Sequence, residues 1–366
     1  MDTFSLADAD ELLTSSAIRT PSIRLVQDGS VLPESRYIRT ATLAGRTLTG
    51  LVDPRRALAL FDEGATIVFQ GLHRYWSPLT RLIADLELAL GHPCQANAYL
   101  TPPAAQGFAV HSDSHDVFVY QTHGHKRWEL HGTADSESEE PRESEERSEP
   151  EEVTLEPGLV LYLPTGTRHA ARTEDTISLH VTIGINQLTW PAVLRRAIEP
   201  VLAELGDGPG HLPAGHLTDP ALLREGLADR LTALAERVRA LDPDQLVRAE
   251  HERFLTTRPS RLAGGLVDRD VVNTGNTDDA GITDNSVLRR RGICRPLPPE
   301  GDRMRVLLGD RHLDVPAWLE PAFARIAELQ RFTPADLDLD EASRLVLCRR
   351  LVREGTLAVE IPEGPA

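Results

Sequence analysis

Six short segments rich in β-branched and aromatic residues, each bounded by glycine, proline or histidine, lie between residues 66 and 184 and constrain this chain more than any other feature. They are TIVFQG (66–71), NAYLTP (97–102), DVFVYQT (116–122), KRWELH (126–131), LVLYLP (159–164) and SLHVTIG (178–184). Such residues fit a pleated, half-buried surface, and few helices intervene between the segments. The pattern predicts an antiparallel sheet closed into a barrel or folded into a sandwich. One helix is expected over 79–91, where apolar residues recur at helical spacing and Gly91 ends the run.

Beyond Trp190 the texture turns helical. Over 190–205 and 216–256, Leu, Ala and Val recur at intervals of three and four between Arg and Glu, as in helices that bury one stripe. Residues 258–302 are rich in Gly, Asp, Asn, Thr, Arg and Pro and are expected to be a linker or a loosely packed connection. The tail then offers a strand (303–310), a helix near 316–331, a helix-turn-helix-like stretch and a last strand, TLAVEI, which together suggest a winged-helix module. The expected fold class is mixed α+β. Its expected parts are a β-barrel domain over 1–188, a helical unit over 189–257, a linker over 258–302 and a winged-helix-like domain over 303–366.

Charge is unevenly placed. Residues 135–152, DSESEEPRESEERSEPEE, contribute −8 of the net −17, contain no apolar residue and are expected to form a disordered, solvated insertion. The acidic balance argues against nucleic-acid binding, and the acids mixed with arginines in the winged-helix-like stretch give no cationic face there either. No run of apolar residues is long enough to span a bilayer, and the start, MDTFSLADADELL, lacks the basic and apolar parts of a secretory signal. Cys94, Cys294 and Cys348 are odd in number and widely spaced, which excludes a disulfide framework or a CxxC metal site. A cytoplasmic location is the expectation.

The chemistry concentrates in GFAVHSDSHDVFVYQ (107–121) and PGLVLYLPTGTRH (157–169). His111 and Asp113 stand two apart in a strand-like setting, so alternation is expected to send both side chains to one face. His169, 58 residues later, follows a strand and a turn that bring it back toward the barrel mouth. Two imidazoles and one carboxylate hold one face of an octahedral metal and leave three positions open, which suits non-haem Fe(II). A 2-oxoacid fills two of these positions and dioxygen the third, coupling oxidative decarboxylation to oxidation of a nearby C–H bond. A zinc hydrolase would accept similar ligands but needs one open position and a general base. Lys126 is the only lysine in the chain, and its compact ammonium suits the distal carboxylate of the oxoacid inside a narrow barrel.

These stretches, with NAYLTPPAAQGFAVHSDSHDVFVYQTHGHKRWELH and PGLVLYLPTGTRHA taken whole, resemble the bacterial cupin-like branch of the JmjC oxygenases, the group that includes the ribosomal oxygenases. The resemblance covers nearly the whole chain. It implies a double-stranded β-helix (jelly-roll or cupin) barrel followed by a helical dimerisation unit and a winged helix, and thus a homodimer. It also implies Fe(II) on His111, Asp113 and His169, with 2-oxoglutarate as cosubstrate held by Lys126. A family asparagine in the same pocket falls on Asn97, with Tyr99 on the same strand face. Three departures concern the substrate side: Leu159 replaces the acid that usually follows Pro-Gly, the acidic insertion replaces a short connection, and the N-terminal segment is shorter.

Ser178 is a further candidate to offer a hydroxyl to the cosubstrate. His115 shares a face with His111 and Asp113 if the strand is regular, but three successive same-face ligands would spread over about 13 Å. His180 reads as a packed histidine, and His123, His125 and His131 as surface or turn residues. Three functions are compatible with the sequence. The first is hydroxylation of a protein or peptide side chain, histidine or arginine by family analogy. The second is tailoring of a peptide natural product by the same chemistry, and the third is a metal-binding cupin module without turnover.

Overall fold

Two-residue alternation builds the first part of the molecule, because each strand sends one face into a core and the other into a barrel interior. The structure, a computed structural model, describes residues 3–133, 150–205, 211–260, 262–274 and 281–360. The chain divides into two units, Met1–Leu188 and Thr189–Ala366.

The first unit runs α1 (Leu6–Thr14), β1 (Ile23–Gln27), β2 (Ser30–Val31), β3 (Ile38–Leu43), β4 (Arg46–Val52), α2 (Pro54–Asp62), β5 (Thr66–Phe69) and α3 (Ser77–Leu90). It continues through β6 (Cys94–Thr101), β7 (Asp116–His123), β8 (Lys126–Thr133), β9 (Glu151–Leu155), β10 (Val160–Leu163), β11 (Thr167–Arg172) and β12 (Ser178–Ile185). A seven-stranded sheet has the order β10-β7-β12-β6-β5-β1-β2, and a three-stranded sheet has the order β11-β8-β9; every pairing in them is antiparallel. Along β6, Ala96, Ala98 and Leu100 enter the main core, as do Leu179, Val181 and Ile183 of β12. The alternate residues Tyr99, His180 and Thr182 line a cavity between the sheets. A small second core of Val117, Val119, Trp128, Leu155 and Leu163 joins the two sheets.

The helix expected over 79–91 is α3, begun by proline in its first turn and stopped by Gly91 at φ 68°, a left-handed position that favours glycine. Each of the six β-rich segments carries a strand, but the stretch around His111 does not. Residues 107–115 are irregular, and His111 touches the sheet only through an isolated bridge to His169. Gly107, Ser112, Asp113 and Ser114 in this stretch favour turns over an extended ladder. Most of the acidic segment expected over 135–152 lies outside the described residues. Its end is ordered: Glu151 and Glu152 open β9 and pair with Leu130 and Glu129 of β8.

The second unit contains α4 (Trp190–Glu204), α5 (Pro220–Arg239), α6 (Pro243–Thr256), α7 (Gly265–Thr274), β13 (Leu288–Arg290), β14 (Arg295–Pro296), β15 (Arg303–Leu307) and β16 (His312–Pro316). It ends with α8 (Glu320–Glu328), β17 (Arg331–Phe332), α9 (Glu341–Arg353) and β18 (Leu357–Val359). The helical run expected over 216–256 is interrupted, since Asp242 caps α6 and Pro243 begins it. The linker expected over 258–302 is corrected. Val272, Ile282, Leu288 and Cys294 from this stretch are buried in the same core as Phe323, Cys348 and Leu351, so sparse apolar residues anchor it despite its polar composition. The helix-turn-helix-like stretch forms a single 3-10 turn (Pro334–Asp336) before α9. Among the described residues, no helix is long and apolar enough to cross a membrane.

Candidate metal centre

His111, Asp113 and His169 present ligand atoms that all lie within 4.8 Å of one another. The backbone brings them together. His111 N–H donates to the His169 carbonyl at 3.1 Å, and His169 N–H donates to the His111 carbonyl at 2.8 Å, so the two residues clamp each other across the gap between loop and strand. Asp113 is fixed beside them by the Gly166 N–H, which donates to its carbonyl at 3.0 Å. The pairing of β11 with β8 shifts register between Thr167 and His169, with the extra residue on β8, and irregularities of this kind re-aim a side chain.

Each imidazole is also set in orientation. His169 Nδ1 lies 2.9 Å from the Thr167 carbonyl, and His111 Nδ1 lies 2.9 Å from the Ala109 carbonyl. A carbonyl only accepts, so each Nδ1 carries the proton and donates, leaving each Nε2 lone pair free for a cation. His169 Nε2 lies 3.8 Å from Asp113 Oδ2. Burial pushes the His169 imidazole below its ordinary pKa, which keeps it neutral and ready to ligate. Two neutral imidazoles and one carboxylate clustered in this way fit a divalent first-row metal with vacant positions on one side.

Beside the cluster is a cavity of about 190 Å³ that also reaches Lys126, Tyr99 and Trp128. Lys126 is 4% exposed, and its Nζ donates to Thr101 Oγ1 at 3.0 Å. Thr101 in turn accepts from the Thr66 hydroxyl. Lys126 has no acidic partner among the described residues, and burial pushes its ammonium down to about 7. A buried cation without a counter-ion is costly, so the barrel floor favours an incoming anion. His180, stacked on Tyr99 with centroids 4.9 Å apart, is held well below its ordinary pKa by burial and then by the Lys126 charge.

The other expected residues are placed less uniformly. Tyr99 lines the cavity, whereas Asn97 and Ser178 are not among its lining residues. The Asn97 Oδ1 accepts from the Gly71 N–H at 2.9 Å, and the buried Ser178 Oγ accepts from Gln121 Nε2 at 2.9 Å. His115 approaches Gly184 on β12 and is outside the ligand cluster. Two lining residues not anticipated from sequence are Arg24 and Phe108. A larger hollow of about 920 Å³ lies in the second unit between α6 and the β14–β16 region.

Residues 76–193 match the family described as the JmjC domain. The chain carries a JmjC domain. Ribosomal oxygenase 1 from Homo sapiens is 32% identical over 256 residues, covering 65% of this chain and 38% of that protein. The bifunctional lysine-specific demethylase and histidyl-hydroxylase NO66 of Dictyostelium discoideum is 37% identical over 153 residues, covering 38% of this chain and 30% of that protein. The chain thus spans less than half the length of these curated relatives. Among solved structures, Escherichia coli ribosomal oxygenase YcfD aligns with a TM-score of 0.52 at 19% identity, over 98% of this chain and 91% of that one. A YcfD structure in complex with cobalt and 2-oxoglutarate aligns with a TM-score of 0.50 at 18% identity, over 99% and 92% of the two chains. The protein therefore has the JmjC/cupin fold with mixed α and β content.

Proposed function

We propose that this protein is an Fe(II)- and 2-oxoglutarate-dependent oxygenase that hydroxylates a histidine or arginine side chain of a protein or peptide. The observation that carries the reading is the convergence of two imidazoles and one carboxylate beside a cavity that also holds an ammonium with no acidic partner among the described residues. His111, Asp113 and His169 would hold the iron and Lys126 the distal carboxylate. Bound iron supplies the activation of dioxygen that oxidative decarboxylation requires. The chain's own residues orient the cosubstrate between metal and Lys126, while Trp128 and Val119 wall the cavity with apolar surface. Support comes from relatives whose names give histidyl-hydroxylase and ribosomal oxygenase activity, and from the cobalt and 2-oxoglutarate complex of YcfD.

His111→Ala and Asp113→Ala are each expected to abolish succinate formation from 2-oxoglutarate, with loss of at least 100-fold, a threshold on the order of the loss when one electrostatic contributor to catalysis is removed. In parallel, anaerobic addition of Fe(II) and 2-oxoglutarate to the wild type should give a weak metal-to-ligand charge-transfer band. Full turnover in either variant would remove the ligand assignment, and absence of the band would point to a module that binds metal without turnover.

The domain reading extends to the second unit. The helices α4 and α5 are read as a homodimerisation unit, supported by Leu194, Leu202, Leu222, Leu227 and Leu231, all of them exposed. Residues 303–366 are read as winged-helix-like, supported by α8 and α9 among short antiparallel strands. A cytoplasmic location is supported by Cys94, Cys294 and Cys348, buried thiols that form no disulfide among the described residues.

A further inference from the structure

Arg24 stands on β1, whose register sets it opposite Val68 of β5, which in turn faces Tyr99 of β6. This cross-strand row places a guanidinium in the wall of the cavity that holds His111, Asp113 and His169. Its Cζ lies 5.5 Å from the centroid of Phe108, and that ring lies 5.6 Å from the His111 ring. Arg24 Nε is buried and has no hydrogen-bond partner, although the side chain is hydrogen-bonded to the Tyr99 hydroxyl, and Arg24 makes no ion pair among the described residues. Among the described residues the only carboxylate lining the cavity is Asp113, already assigned to the metal cluster.

We propose that Arg24 is a specificity-determining residue that selects a substrate side chain bearing a hydrogen-bond acceptor, such as a carboxylate, a carboxamide or a neutral imidazole, and rejects a guanidinium or ammonium. The inference rests on the oxygenase reading and narrows it, because it removes arginine from the candidate targets. In that reading the charges of a divalent ion, the dianionic cosubstrate, Asp113 and Lys126 cancel. Arg24 then remains as one uncompensated positive charge beside the reacting centre. Within a cavity partly walled by apolar side chains, a second cation meets repulsion that solvent screens weakly, whereas an acceptor satisfies a donor that is otherwise orphaned. A guanidinium bound to a carboxylate adds a charge-assisted contact with fixed planar geometry.

The test uses the full chain under anaerobic conditions with Mn(II) as a paramagnetic probe and 2-oxoglutarate present. N-acetyl N-methylamides of Asp, Asn, His, Leu and Arg are titrated, and broadening of their proton signals is followed by NMR. For the wild type, the Asp, Asn and His derivatives should broaden at concentrations about tenfold lower than Leu, the discrimination expected when a buried donor would otherwise stay unpaired. The Arg derivative should be the weakest. Arg24→Leu should erase this order, and Arg24→Glu should invert it between Asp and Arg, each measured with Mn(II) and 2-oxoglutarate at concentrations that saturate the variant. Equal or stronger broadening of the Arg derivative by the wild type, an unchanged order in Arg24→Leu, or no derivative broadened by the wild type would each overturn the proposal. If Mn(II) or 2-oxoglutarate fails to bind the wild type, the oxygenase reading itself fails; if both bind and the order is wrong, only the Arg24 inference falls.

Discussion

Lys126 is a buried ammonium held by one threonine hydroxyl, and its pKa of about 7 belongs to the cavity before any anion arrives. A carboxylate placed against it favours the charged form, so the bound complex holds a proton that the free protein loses above about pH 7. The sign follows directly: 2-oxoglutarate affinity should be flat below pH 7 and weaken by up to about tenfold per pH unit above it. Lys126→Ala should weaken binding throughout and remove the slope, as calorimetric titration at pH 6, 7 and 8 would report; a slope surviving in the variant would assign it to another group. Much at this scale is legible in the sequence, because two ligands two residues apart and one lone lysine are local signals. Arg24 is not, since IRLVQ reads as a strand only once β5 provides its partner. Asn97 shares the face of Tyr99, yet its amide is engaged by the Gly71 N–H, a long-range contact that strand alternation cannot reveal.

The turn between β7 and β8 decides where Lys126 begins its strand. Gly124 there has φ 60°, and a Cβ at this position would overlap the Ile177 carbonyl oxygen. Gln121 secures the same turn by donating to the carbonyls of His123 and Gly124. Gly124→Ala should therefore cost about 2 kcal/mol or more in stability, through left-handed strain and a backbone clash. It should also raise KM for 2-oxoglutarate more than it lowers kcat. Chemical denaturation and steady-state kinetics would check both, and wild-type values would refute the role of the turn. Strands were readable here because β-branched alternation is a local property. The loop carrying His111 was misread as strand, because a ligand pair two apart arises equally from an irregular segment clamped by neighbouring backbone.

On the scale of the whole chain, α5 has no buried residue, and Leu227 and Leu231 are 51% and 55% exposed. Exposed apolar residues on a helix with no fully buried residue are what the homodimer reading would cover with a second chain. Leu227→Glu combined with Leu231→Glu should convert a dimer to a monomer in light scattering while leaving the barrel's circular dichroism intact; a wild type that is already monomeric would reject the reading. Composition misled most here, since a polar stretch expected to be a linker contributes Ile282, Leu288 and Cys294 to a core. A few apolar anchors suffice to order a segment whose average character is that of a loop. The reciprocal amide-to-carbonyl pair between His111 and His169 has its own consequence. Because main-chain bonding already fixes this cluster, an arriving cation would meet a socket whose shape does not wait on it, and its choice among first-row ions would fall to supply.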